Sequence, residues 1–286
     1  MNWVLFFLFL AIVVLLIGLR YWRSLDSAAD NLAKLELIKK LSNKECRFNF
    51  AMVADLPEPA QRYFRFTIKP GTTLRSVVEI KMTGEIALGT KKTPNYKSMY
   101  ANQILAPPFG LIWKLQSGII SGSDGILPKT SWTRFWLFNL LPIVRVKGAD
   151  HHRSAFGRVV AEAVFWAPAS LLPGKYITWE ALDKDKARVT ITYGQYVQAV
   201  DVTVSDLGAP IKIVTQRWSN ENSSKVFKEQ PFGGTLSDFK NFDGYTLPTT
   251  VHGGNLIDTP EYFPFYKANV TSITYPENDT NLDMSR

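Results

Sequence analysis

The chain has 286 residues, 46% hydrophobic and 20% charged, a composition that folds and that excludes a disordered segment. A single cysteine, Cys46, excludes an intramolecular disulfide and a thiolate metal cluster. The net charge of +8 allows either nucleic acid or an anionic membrane as partner. The basic residues are spread along the chain, without a basic arm, an RNP-like motif or a helix-turn-helix signature. Nucleic acid is therefore set aside, and proximity to a membrane accounts for the charge.

The stretch "WVLFFLFLAIVVLLIGL", Trp3 to Leu19, carries no charge. As a helix it spans roughly 25 Å, enough for a bilayer core. Tyr21 and Trp22 follow at headgroup level, flanked by Arg20 and Arg23, which can snorkel. A cleaved signal peptide needs a basic start and a small-x-small site, and neither is present. The expectation is an uncleaved single-pass anchor in a bacterial cytoplasmic membrane. With Arg20, Arg23 and Lys34 on its C-terminal flank, the positive-inside rule places the domain in the cytoplasm.

Beyond the anchor, Leu25, Ala28, Leu32, Leu35 and Ile38 recur at helical spacing with Ser24 as N-cap, which predicts a separate juxtamembrane helix packing on the domain through that stripe. "DLPEPAQRYFRF" predicts a second helix, capped by Asp55 and burying Ala60, Tyr63 and Phe64, with Arg62 and Arg65 facing away and Gly71 ending it. From Ser76 the period changes to two: Val78, Ile80 and Met82 alternate with polar residues. Asp124-Gly125 reads as a tight turn. "SWTRFWLFNLLPIVRV", apolar on both faces, is open between a buried strand, a loop dipping into lipid and a short helix. "ADHHRSAFGRVVAEAVFW" predicts a third helix, capped by Asp150 and stopped by Pro168.

The remainder is a meander. In "VDVTVSDLGAPIKIVTQRW", Val200, Val202 and Val204 form one apolar face. Gly194-Gln195 suits a type II′ hairpin and Asp243-Gly244 a type I′ hairpin. The fold class predicted is mostly β (α+β): an N-terminal transmembrane helix, then a curved antiparallel sheet or half-barrel with two or three packed helices. The division expected is anchor 1–23, juxtamembrane helix 24–48, a single β-rich domain 49–276 and a polar tail 277–286.

Chemistry-bearing motifs are sparse. His151, His152 and His252 show no HExxH or His-x-His pattern, and the adjacent pair would point about 100° apart on a helix. The pair is read as solvated rather than as metal ligands with Glu162. No GxSxG, GxGxxG or Walker loop occurs, and "SGSDGIL" and "PFGGTL" do not run into a helix. No catalytic residue, metal or cofactor is assigned. Glu162, on an otherwise apolar helix, is open between an ion pair with Arg217, a polar anchor in a ligand pocket and a general acid of raised pKa. Asp238 reads as a turn carboxylate. Trp113, Trp166, Trp179 and Trp218 either line a greasy cavity or fill a core.

"LPEPAQRYFRF", Gln103, "FGLIWKLQ", "GSDGIL", "AEAVFWAPASLLPG", "WEALD", "QRW", "GGTLSDFKNFDGYTLPT" and "ITY" occur in an order that resembles a bacterial family of unknown function. Its members often begin with a hydrophobic segment followed by an LPxPxxRY helix. The resemblance covers about residues 50 to 275, departs in the aromatic 131–146 stretch, and implies no site residue. More loosely, helices followed by a long meander are similar to periplasmic lipoprotein and lipid carriers. That likeness implies a curved half-barrel holding acyl chains under helical lids, on the outer side of the membrane. The functional expectation is a membrane-anchored binding module for a lipid-like ligand, with Trp113, Trp166, Trp179, Trp218, Arg217 and Glu162 as binding residues. The alternatives are an enzyme on a lipid-linked substrate, using Glu162 with Asp238 or a histidine, and an interaction protein with a filled core.

Overall fold

The computed structural model describes residues 2–41, 46–222 and 224–277; most of the expected polar tail lies outside them. A helix α1 (Asn2–Ile38) is followed by a short 3-10 turn and by α2 (Glu58–Thr67). Six strands come next: β1 (Val78–Ala87), β2 (Tyr96–Ala106), β3 (Gly110–Ser117), β4 (Ile120–Leu127), β5 (Thr130–Leu137) and β6 (Leu141–Val146). After α3 (Ala149–Trp166) run β7 (Ile177–Asp183), β8 (Lys186–Tyr193), β9 (Tyr196–Val204), β10 (Pro210–Ser219), β11 (Lys228–Phe242), β12 (Tyr245–Asn255) and β13 (Phe263–Thr274).

All thirteen strands form one antiparallel sheet, ordered β6-β5-β4-β3-β2-β1-β13-β12-β11-β10-β9-β8-β7. The sheet is two meanders sewn together where β1 pairs with β13. It curls until the β8–β9 turn approaches the β2–β3 connection, where the rings of Phe109 and Tyr193 lie 5.6 Å apart. The hairpins follow local chemistry: φ is positive at Gly194 alone in one turn and at both Asp243 and Gly244 in another, as types II′ and I′ require.

The concave face holds α3 and α2. Val200, Val202 and Val204 are buried in the same cluster as Phe156, Val159 and Val160 of α3, while Asp201 on the other face binds Arg188 at 2.6 Å. In α2, Tyr63 is fully buried and its hydroxyl donates to the Val164 carbonyl at 2.6 Å. Arg62 does not face away. It binds Glu58, Asp185 and the carbonyls of Lys184 and Ser205, tying α2 to the β7–β8 and β9–β10 turns. The helix starts from Pro57 rather than Asp55, because Pro57 and Pro59 preset its first turn without side-chain capping.

Asp124-Gly125 is not a turn but the middle of β4. A Cβ at Gly125 would lie 2.4 Å from Cζ2 of Trp132, so the glycine makes room for an indole on the next strand. The ambiguous 131–146 stretch is the β5–β6 hairpin, turning at Phe138 and Asn139 with φ of 53° and 55°. Its outward-facing Trp132 and Trp136 meet α1.

On the outer face the predicted helix stripe is inverted. A single helix runs through both expected segments, and Ser24 is not a cap; its hydroxyl donates to the Tyr21 carbonyl at 2.7 Å. Leu25, Leu32 and Leu35 are exposed, whereas Asp26, Asp30, Ala33 and Leu37 face the sheet. Leu37 packs in a cluster with Val77, Ile104, Ile112, Leu127 and Trp132. Asp26 accepts from Trp136 at 2.9 Å and pairs with Arg145 at 2.6 Å and Arg134 at 3.2 Å. Asp30 pairs with Arg134 at 2.7 Å and accepts from Ser123 at 3.0 Å. Helical periodicity alone assigns carboxylates to water; here the partner strands supply the cations that let them be buried.

Burial raises the Asp26 pKa, but the hydrogen bond from Arg145 and the charge of Arg134 outweigh it, and the carboxyl is held below its ordinary value. A depressed folded pKa gives stability that is complete above the unfolded value and is lost as pH falls through the folded one. Asp26→Ala should cost about 3 kcal/mol, because it strands Arg145 and leaves Arg134 with Asp30 alone. It should also remove part of the acid-side fall of Tm below about pH 4. Melting curves against pH, with hydrogen exchange of residues 24–38, check this.

Candidate functional site

Between α3 and the concave face lies a cavity of about 770 Å³, in the size range of small-molecule sites. Its lining reaches from β4 and β5 at one wall to β10–β13 at the other, and out to the β1–β2 connection at Gly89. The sequence makes this space with glycine. Gly233, Gly234 and Gly253 bring bare backbone to the floor, and at Gly253 an added Cβ would meet nothing closer than 3.9 Å. Phe165, Trp166, Phe232, Phe263, Phe265 and Trp113 supply apolar wall.

One wall is a charged cluster built around Arg158. Its Nη1 donates to Asp124 at 2.7 Å, its Nε to Glu162 one helical turn on, and its Nη2 to the Gln103 carbonyl oxygen at 3.3 Å. Gln103 donates in turn to the second Glu162 oxygen. Thr133 donates to Asp124 at 2.7 Å and lies 2.8 Å from His151 Nε2. The threonine proton is thereby committed, so His151 donates from Nε2, and its Nδ1 faces Ser131 Oγ at 2.8 Å. Burial raises the Asp124 pKa, yet His151 and Arg158 pull it well below the ordinary carboxylate range. Burial lowers that of Arg158, and Glu162 and Asp124 raise it further than burial depresses it. Asp124 and Arg158 are thereby held in their charged forms, and both Glu162 oxygens have a donor.

Arg217 stands apart from it. The expected pair with Glu162 is absent: both Glu162 oxygens are taken by Arg158 and Gln103. Among the described residues no carboxylate lies within ion-pair distance of Arg217. Its Nε donates to Ser154 at 3.2 Å and its guanidinium lies 4.9 Å over the Phe232 ring. Burial, then the charge of Arg158, lower its pKa. The indole N–H groups of Trp113 and Trp166, both buried, have no partner among the described residues.

Of the residues singled out from sequence, Trp113, Trp166, Glu162 and Arg217 line the cavity. Trp179 and Trp218 stand elsewhere. Trp179 stacks beside Tyr63 and Phe64, donating to the Leu171 carbonyl at 2.9 Å. Trp218 donates to Asp150 at 2.8 Å beneath Arg153. The histidine pair is not solvated: His151 is held by Ser131 and Thr133, and His152 stacks on Tyr196 with rings 5.1 Å apart. Asp238 sits exposed on β11 at φ 56°, outside the lining. Sequence reasoning missed Arg158, Asp124 and Gln103. The spacing of Arg158 to Glu162, four residues on a helix, was the available signal.

Comparison with known proteins gives three findings. No curated protein sequence matches the chain. Among solved structures, a LolA superfamily protein from Nitrosomonas europaea is similar at 11% identity and a TM-score of 0.42, over 77% of this chain and 92% of that one. A putative outer membrane lipoprotein-sorting protein domain from Vibrio parahaemolyticus is similar at 10% identity and a TM-score of 0.37, over 82% and 94%. The model of a family of unknown function, DUF6544, matches residues 47–268. That span takes in the whole cavity wall from α2 to β13, and the chain belongs to this family.

Proposed function

We propose that the protein is a membrane-anchored binding module that takes one acyl-type chain carrying an anionic, oxygen-bearing head. The observation that carries this reading is the combination of a largely apolar cavity with one cation left without a carboxylate. Arg217 offers the charge for the head. Each buried methylene contributes about 0.8 kcal/mol, so affinity comes from chain length rather than from a dense polar constellation. Glu162 serves as the clamp that holds Arg158, not as the head-group ligand or as a general acid. Its expected acid–base partner Asp238 lies exposed on β11, outside the cavity.

The anchor is the first half of α1. Residues 3–19 form an uninterrupted helix with no side chain packed in the domain. Arg20 and Arg23 follow it. Under the positive-inside rule the domain then lies on the cytoplasmic side of the bacterial inner membrane.

Mass spectrometry of the full chain extracted in mild detergent should show a co-purifying acyl lipid at near one to one. Gly253→Phe, at a lining position where an added Cβ meets nothing closer than 3.9 Å, should abolish it while leaving Tm nearly unchanged. Arg217→Met should reduce retention of anionic lipids more than of neutral ones. Retention unaffected by Gly253→Phe would sink the cavity assignment.

Glu162→Gln should lower stability by about 3 kcal/mol, because it leaves Arg158 short of one carboxylate in a buried site. Lipid retention per folded molecule should be kept. Finally, a C-terminal reporter active only in the cytoplasm should be active; activity of a periplasm-specific reporter instead would reverse the orientation.

A further inference from the structure

The contacts of α1 trace a line across the outer face of the sheet. At its C-terminal end Lys40 lies 5.2 Å over Phe109, in the β2–β3 connection. Further back Asn31 accepts from Lys114 at 2.8 Å, Asp30 from Ser123, and Asp26 from Trp136. The line ends where Arg23 reaches Asn139 in the β5–β6 turn at 3.3 Å. In an antiparallel meander the β1–β2, β3–β4 and β5–β6 connections share one edge, opposite to β2–β3. The apolar half of α1 therefore leaves the domain past that edge, and its twenty residues reach about 30 Å beyond it.

The three connections at that edge have a character of their own. Leu88, Ile119, Phe138 and Leu141 are all exposed, by 55%, 53%, 64% and 45%. Phe138 N–H donates to the Ile119 carbonyl at 2.8 Å, so two of the tips are locked side by side. Residues 88–95, 118–119 and 138–140 include Lys91 and Lys92 and no Asp or Glu. The same edge continues into the β10–β11 and β12–β13 connections, which carry Glu221, Asp258 and Glu261, so the acid-free stretch is confined to the β1–β6 half. Apolar tips with flanking lysines in that half suit an interface of anionic lipid.

We propose that this edge rests on the lipid surface as a second membrane contact, with Ile119, Phe138 and Leu141 in the headgroup layer. The proposal rests on the reading of α1 as a membrane anchor and goes beyond it: the domain is seated, not merely tethered. The cavity lining reaches Gly89 within the β1–β2 connection at this same edge. A chain leaving the bilayer there enters the cavity without crossing bulk water.

The test uses the full chain, with Cys46→Ser, reconstituted in vesicles of phosphatidylcholine and phosphatidylglycerol containing a doxyl-labelled lipid. A polarity-sensitive fluorophore is placed at Ile119→Cys, Phe138→Cys, Val14→Cys or Leu207→Cys, all at exposed positions. The expected result is a blue shift and several-fold stronger quenching at Ile119 and Phe138 than at Leu207, on the far edge. Quenching at Val14 with Ile119 and Phe138 matching Leu207 would overturn the seating and leave the anchor standing. An unquenched Val14 would remove the anchor and the seating together.

Discussion

The architecture depends on how the charge of Arg158 is neutralised inside a curved sheet. A guanidinium buried against an apolar wall is costly unless its donors and its charge are both met. Here β4 supplies Asp124, β2 supplies Gln103, and α3 itself supplies Glu162 one turn along. These bonds hold α3 at a set distance from the β2–β4 wall. Val159, Val160 and their neighbours meanwhile press it onto β9 and β10 on the other side. A helix held by ions at one flank and by packing at the other leaves unfilled volume between, and the glycines of β11 and β12 enlarge it. The cavity is thus a by-product of where the charges sit.

The same device recurs on the outer face with the roles exchanged. There the helix brings the carboxylates, Asp26 and Asp30, and the sheet brings Arg134 and Arg145. Arg145 also lies 4.5 Å over the Trp136 ring and 4.6 Å over that of Trp22. The helices α1 and α3 are therefore registered by ion clusters, which fix rotation and translation more narrowly than an apolar stripe can. A stripe of leucines slides at modest cost; a buried carboxylate moved away from its arginine does not.

Most of the fold could be read from sequence because alternation is a local property. Val200, Val202 and Val204, the Asp243-Gly244 hairpin and the α3 stripe all announce themselves within a few residues. What stayed hidden depends on partners distant in the chain. Asp26 and Asp30 looked solvent-facing because Arg134 is more than a hundred residues away. Asp124-Gly125 looked like a turn because the reason for the glycine is the Trp132 ring on the neighbouring strand. The cavity was legible in part for the same reason. Trp113, Trp166, Glu162 and Arg217 were found by residue type, but the pairing of Glu162 went to its own helix. Trp179 and Trp218, equally suggestive by type, were drawn off by α2 and by Asp150.

The two ends of the sheet, β6 and β7, are not hydrogen-bonded to each other. The curl is closed instead by side chains, such as the Phe109 and Tyr193 rings meeting edge to face. A sealed barrel has a girth fixed by its strand number and shear, whereas this clasp can spread by parting a few rings while every ladder bond stays intact. Room for a bulkier occupant would then cost aromatic contacts of about 1 kcal/mol each, not the rupture of a strand pair.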